Sequence, residues 1–297
     1  MSFTIAHTVD EALAAMAAGA RAIAGGTDLV VGARHGKAAL PGNLVAIDRL
    51  TELKSVTTTK DGVSIGALVT HHDIEMHPLL STSYAGLADG SALVGSPSTR
   101  HIGTLGGNIM NASPAMDTGA PLAVMRAEIE LRSVRGSRRV PIEELWTAPG
   151  KTSAQPDELC VAIHIPAPAT RSNSAYVRLE YRRAMEIAVV GAAAFVALND
   201  DGTIAALRVG LTAVSPTIFT GDLVGQIGRS VSDAAENAAK VSMEQATPIS
   251  DVRASDSYRR HTVGVMARRA VEAAARRAAG ETIAIPVNRA IGIGAAS

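Results

Sequence analysis

Between residues 175 and 214 the chain carries three long apolar runs in succession, AYVRLEYR, IAVVGAAAFVALND and IAALRVGLTAV. Runs of this length, rich in β-branched residues and bounded by turn residues, read as strands. Asp200-Asp201-Gly202 supplies a tight turn between the last two. Two Ala-rich segments follow, at roughly 230–246 and 255–279, and their pattern is helical. Three sequential strands and then two helices can bury their apolar surface only by stacking helix on sheet, with the helices on one face, so this part predicts a small α+β unit.

The chain has 297 residues, room for a second unit ahead of this one. Its pattern there is different. A helix over TVDEALAAMAA opens at Thr8, and a short strand RAIAG leads into Gly25-Gly26. TDLVVGARHG predicts a short helix capped by Thr27 or Asp28, and NLVAIDR a strand. A hairpin turns at Lys60-Asp61-Gly62, residues 70–93 are mostly helical, and 94–116 form a Gly-, Ser- and Asn-rich stretch. Asp117 opens a helix, EIELRSV is a strand, residues 137–157 with Pro141, Pro149 and Pro156 predict a surface segment, and ELCVAIHIPAP is the last strand. PAPATRSNS, residues 166–174, is the best boundary, which gives domains over 1–170 and 171–282; the patternless segment 283–297 is a tail.

Several function classes drop out. Lys+Arg and Asp+Glu are both 28, so the basic excess of a general nucleic-acid binder is missing. Cys160 is the single cysteine, which excludes a disulfide framework and a cysteine-ligated zinc or iron–sulfur site within the chain, and its alternating apolar surroundings predict an inert thiol on a strand. No signal peptide and no membrane-length apolar stretch is evident, so a cytoplasmic protein is expected. GARHGKA fails as a nucleotide phosphate loop on spacing and on Ala38. GVSIG places Ser64 inside a strand, where a nucleophile elbow cannot form. HHDIEMH lacks the i, i+4 histidine pair of a zinc helix, RRAVEAAARR reads as a solvated helix face, and no G-x-G-x-x-G follows a strand.

What remains are two glycine pairs about eighty residues apart, in AGGTDLVVG (24–32) and GTLGGN (103–108). Glycine is costly in conformational entropy and adds nothing to a core, so each pair is either a tight turn or a place where backbone approaches a ligand closely. Strand, two glycines and a helix start form a concavity of N–H groups suited to phosphate oxygens. The second motif reads as strand-like Leu105, two glycines, then Asn108 and Asn111 as adaptable side chains. With Asp117 following at a helix start, two walls around a pyrophosphate-bearing ligand is the preferred reading.

AGGTDL, TLGGNIMNASPAMD, YVRLEYRRAMEIAVVGAAA and PISDVRASDSYRRHTVGVMARRA, in this order, resemble the FAD-binding medium subunits of molybdenum hydroxylases, the family of carbon monoxide and xanthine dehydrogenases. The resemblance spans about residues 1–280. It implies an α+β fold: a vanillyl-alcohol-oxidase (PCMH)-type FAD-binding domain of two subdomains, then a small α+β C-terminal domain. Ala24, Gly25, Gly26, Thr27, Asp28 and Leu29 would cradle the FAD pyrophosphate, with Ile102, Thr104, Gly106, Gly107, Asn108, Asn111 and Leu159 also at the cofactor. Asp117 would bind the flavin's polar arm. Arg178 stands where many relatives have a lysine near the flavin ring, and Glu186 where relatives often have aspartate.

The resemblance also implies partners: a large subunit with a molybdenum–molybdopterin cofactor, a small subunit with two [2Fe–2S] clusters, and a dimer of heterotrimers. This chain's expected role is to pass electrons through FAD to an acceptor, with no residue of its own acting as acid or base. An N-heterocycle such as nicotine or a purine, or carbon monoxide, is the expected substrate class of the complex. The alternatives are a stand-alone FAD-dependent oxidoreductase of the same fold, and a scaffold that has lost the flavin.

Overall fold

The computed structural model describes residues 2–36, 38–182 and 184–292. Helix α1 (Val9–Ala17) starts at Thr8, whose Oγ1 accepts from the Glu11 N–H at 3.2 Å, with Asp10 and Glu11 in the first turn. Its Val9, Ala12, Leu13 and Met16 are buried against a three-stranded parallel sheet of β1 (Ser2–Ile5), β2 (Arg21–Ile23) and β3 (Asn43–Ala46), in the order β1-β3-β2. Helix α2 (Leu29–Arg34) follows the first glycine pair, with Asp28 at its N-cap.

The hairpin expected at Lys60-Asp61 joins β4 (Val56–Thr59) to β5 (Gly62–Gly66). Gly62 has φ +146°, and a Cβ there would lie 2.1 Å from the Ile165 carbonyl oxygen. Three short helices, α3 (His71–Met76), α4 (Pro78–Ser83) and α5 (Ala85–Leu93), fill the stretch expected to be helical. The Gly- and Asn-rich stretch holds α6 (Pro97–Arg100) and α7 (Leu105–Asn111), and α8 (Gly119–Val124) begins two residues after Asp117. Leu105 therefore opens a helix, contrary to the strand-like reading. Thr104 caps it through Oγ1, which accepts from the Gly107 N–H at 3.1 Å.

Strands β6 (Glu128–Ser133) and β7 (Gly136–Pro141) form a hairpin, followed by α9 (Ile142–Leu145) and a two-stranded ribbon of β8 (Trp146–Ala148) and β9 (Lys151–Thr152). The proline-marked segment is thus no simple surface loop: Ile142, Leu145 and Trp146 are core residues, and Trp146 Nε1 donates to the Ile109 carbonyl. The prolines punctuate short elements whose apolar residues still face inward. Strand β10 (Leu159–Pro166) completes a five-stranded antiparallel sheet in the order β4-β5-β10-β6-β7, with Cys160 buried in it.

The expected long strands are β11 (Ser172–Leu179), β12 (Val190–Leu198) and β13 (Ile204–Thr212). An unanticipated β14 (Phe219–Asp222) extends the antiparallel sheet. Helices α10 (Val231–Gln245) and α11 (Asp256–Ala278) pack on one face, capped by Ser230 and Ser255. The other face is covered as well, by α5 and α8. Tyr176 and Ala193 join the first core, while Ala175, Val177, Ala192 and Ala194 join the second. Burial on both faces, rather than the expected one, explains why these strands read as nearly continuous apolar runs. Helix α12 (Val287–Ala290) lies in the segment that shows no sequence pattern; Ile283 and Val287 nevertheless enter the second core. None of the described helices is long and apolar enough to cross a membrane.

Candidate functional site

The two glycine-bearing stretches touch. A Cβ on Gly25 would lie 2.1 Å from the Ile102 carbonyl oxygen, so only glycine permits this approach. One on Gly103 would lie 3.5 Å from Thr27 Oγ1. Gly26 is left-handed, φ +68°, and turns the chain from β2 toward α2. Among the described residues, the N–H groups of Gly25, Gly26 and Thr27 have no hydrogen-bond acceptor.

The second stretch is strapped to the segment after β5. His71 N–H donates to Gly103 O, Leu105 N–H to Val69 O and Gly106 N–H to Ala67 O. These bonds and the Thr104 cap occupy the donors of the first turn of α7. Each glycine pair therefore divides its work. Gly25 and Gly106 are packing glycines; a Cβ on Gly106 would meet Ala67 Cβ at 2.7 Å. Gly107 is exposed, and a Cβ there would meet only Thr104 Oγ1 within 4 Å. Asn111 is exposed one turn further on the same face, and Ile102 is 53% exposed beside it in the chain's entry to α7. Asn108 is half-buried, its Oδ1 accepting from the Thr118 hydroxyl at 2.6 Å. That bond engages the carboxamide oxygen and leaves the NH2 as its donor group.

Asp117, next to Thr118, is buried together with Arg178. Asp117 Oδ2 accepts from Arg178 Nη1 at 2.8 Å and Oδ1 from the Tyr176 hydroxyl at 2.9 Å. Arg178 is wholly buried and also donates to the Leu93 carbonyl and, through Nε and Nη2, to Glu180. Burial pushes the Asp117 carboxyl upward, against the pull of Arg178 and the Tyr176 bond, and the carboxylates of Asp117 and Glu180 hold Arg178 firmly protonated. Glu186 accepts from the Ile187 N–H, and its backbone carbonyl faces Arg178 Nη1 at 3.4 Å. Leu159 lies apart from this cluster, in the apolar core of the first sheet that Ala24 also packs against.

Sequence reasoning missed Tyr176, Asp89, Arg277 and Asn288. Arg277 belongs to the arginine run expected to be solvated, yet it is buried and pairs bidentately with Asp89 at 2.6 and 3.0 Å. Its helical neighbours Ala270, Ala273 and Ala274 make that face otherwise alanine, which was the available signal. Among the motifs set aside, Ser64 sits within β5 opposite His164, and His72 stacks on His101 with ring centroids 3.8 Å apart.

A family model described as the FAD binding domain in molybdopterin dehydrogenase matches residues 1–168, and one for the CO dehydrogenase flavoprotein C-terminal domain matches residues 175–274. The chain belongs to the FAD-binding subunits of the molybdopterin dehydrogenases. As such it is the flavoprotein component of an oxidoreductase. This FAD-binding subunit is 30% identical over 267 residues to the xanthine dehydrogenase FAD-binding subunit of Escherichia coli O157:H7, covering 88% of this chain and 91% of that one. It is 32% identical over 262 residues to the carbon monoxide dehydrogenase medium chain of Afipia carboxidovorans, covering 87% and 90%. Its fold matches a solved carbon monoxide dehydrogenase structure from Hydrogenophaga pseudoflava with a TM-score of 0.88 at 27% identity, over 93% of this chain and 98% of that one. The mixed helix-and-strand architecture of an FAD-binding domain followed by a C-terminal domain is therefore the family's fold.

Proposed function

We propose that this subunit binds FAD across its two glycine stretches and passes electrons from [2Fe–2S] clusters on a small partner to an external acceptor. A large partner carries the molybdenum–molybdopterin cofactor and acts on the substrate. The single observation that carries the reading is the seating of Gly25 against the Ile102 carbonyl, which joins a run of N–H groups with no acceptor among the described residues to the exposed face of α7. Bound FAD supplies the redox chemistry, and the chain supplies position and electrostatics.

In this reading Ala24 to Leu29 hold the pyrophosphate, the N–H groups of Gly25, Gly26 and Thr27 donating to its oxygens. Ile102 and Thr104 to Asn111 form the opposite wall: Gly107 leaves that wall free of side chain, and Asn108 presents its NH2. Asp117 and Arg178 close the site as one unit, since both carboxylate oxygens of Asp117 are already engaged by protein donors. Leu159 supports the first wall from behind, through the core it shares with Ala24. Residues 1–170 serve as the FAD-binding domain and 171–282 as the C-terminal domain. The assembly is a cytoplasmic dimer of heterotrimers acting on an N-heterocycle such as nicotine or a purine, or on carbon monoxide; the likeness to xanthine and carbon monoxide dehydrogenase subunits supports that range.

The test is to co-express the chain with its partner subunits, purify the complex, denature it and identify the released flavin by chromatography. About one FAD per chain is the expected result. A folded, assembled complex without flavin would sink the reading.

A further inference from the structure

Strand β11 is at the edge of its sheet, in the order β11-β12-β13-β14. An edge strand leaves alternate N–H and C=O groups without a ladder partner. Along the outer edge of β11 these groups are met by side chains instead of a strand. The Ser174 carbonyl accepts from Arg277 Nη1 at 3.0 Å, and the Tyr176 N–H donates to Asp89 Oδ2 at 3.1 Å. At Arg178 one side chain satisfies both groups: the N–H donates to Asn288 Oδ1 at 3.0 Å, and the carbonyl accepts from Asn288 Nδ2 at 2.7 Å. The spacing 174, 176, 178 is the two-residue period of one strand edge.

We propose that Asn288 is a positioning residue for the FAD site, holding Arg178 in the place from which its side chain reaches Asp117. The inference rests on the FAD reading above. Asn288 is 1% exposed, and its carboxamide offers one acceptor and one donor at the separation of a strand neighbour. Aspartate has no donor for the Arg178 carbonyl, and alanine has neither group. From Arg178 the connection is unbroken. Nη1 bonds Asp117 at 2.8 Å, the next residue is Thr118, and the Thr118 hydroxyl fixes Asn108 on the proposed second wall. Asn288 thus bonds only the backbone of Arg178 and reaches Asp117 and Asn108 through it. The helix that carries it is anchored independently, by the Val287 N–H on Asp89 Oδ1 at 2.8 Å and by Val287 in the core, so loss of the Asn288 carboxamide leaves the segment docked.

The experiment compares Asn288→Ala, Asn288→Asp and Asn288→Gln with Val287→Ala, which trims packing in the same turn and spares both hydrogen bonds. All are measured as the assembled complex, by FAD retention during dilution, flavin midpoint potential and thermal midpoint. Asn288→Ala and Asn288→Asp are expected to weaken FAD retention about tenfold, the scale of one or two buried hydrogen bonds, and to shift the potential. Asn288→Gln, with the same two groups, recovers part of both, and Val287→Ala lowers the thermal midpoint alone. Where Asn288→Ala fails to assemble, the isosteric Asn288→Asp gives the answer. Wild-type retention and potential in the Asn288 variants, or equal changes in Val287→Ala, would overturn the proposal while leaving the FAD reading intact. A wild-type complex without FAD overturns both.

Discussion

Gly25 and Gly107 separate two uses of glycine that look alike in sequence. Alanine at Gly25 drives a methyl into the Ile102 carbonyl, and backbone cannot yield as a side chain can. Gly25→Ala is expected to lower the thermal midpoint by several degrees, in line with a cost of about 1–3 kcal/mol for overpacking, and to lose FAD with it. Gly107→Ala meets only a hydroxyl and gains helix propensity of about 1 kcal/mol. Its midpoint should stay near wild type while FAD binding weakens; calorimetry with flavin titration distinguishes the two. His71 offers a pH test. Burial, and then Arg100, lowers its pKa from 6.5 to about 4. Between those values the unfolded chain takes up a proton that the folded chain refuses, so its effect on stability is absent above 6.5 and grows unfavourable as the pH falls toward 4. The loss is on the order of 3 kcal/mol. His71→Asn should flatten this acid limb in urea unfolding at pH 7 and pH 4.5; an unchanged slope would contradict the assignment.

At the scale of elements, Asp89 is where α5, β11, α11 and α12 meet. Its carboxylate accepts from Arg277, the Tyr176 N–H and the Val287 N–H, all buried. Asp89→Ala leaves a guanidinium without its partner in the core and is expected to cost about 3–5 kcal/mol in urea unfolding. Adding Arg277→Met removes the stranded charge and should recover only part of this, because two backbone N–H groups still lack an acceptor. Full recovery would mean that the carboxylate serves the arginine alone.

Across the whole molecule the two large cores share β11: Tyr176 points into one, Ala175 and Val177 into the other. Such sharing predicts a single unfolding transition in calorimetry instead of separate melting of the C-terminal sheet. FAD bound across the glycine stretches of the first unit should then raise the midpoint of that whole transition. At a free concentration one hundred times Kd the gain is about 2.7 kcal/mol. Two transitions, only the first responding to FAD, would show that the buried ion pairs do not couple the units.

Sequence alone determined the periodic elements and the glycine motifs. The three long strands between residues 172 and 212, the helices at Val231–Gln245 and Asp256–Ala278 and the hairpin at Lys60-Asp61 follow from spacing and turn chemistry, which are local. The ordered motifs also carried the family, since each needs particular residues at fixed offsets. Tertiary structure decided the rest. That Leu105 begins a helix depends on straps from Ala67 and Val69, and that Trp146 is core depends on Ile109. Arg277 reads as an exposed cation because its partner Asp89 lies 188 residues away, and the burial of Arg178 rests on Asp117, 61 residues away. Periodicity tells which side chains share a face; only folding brings two faces together, and a charge can be buried only where that meeting supplies its counter-charge.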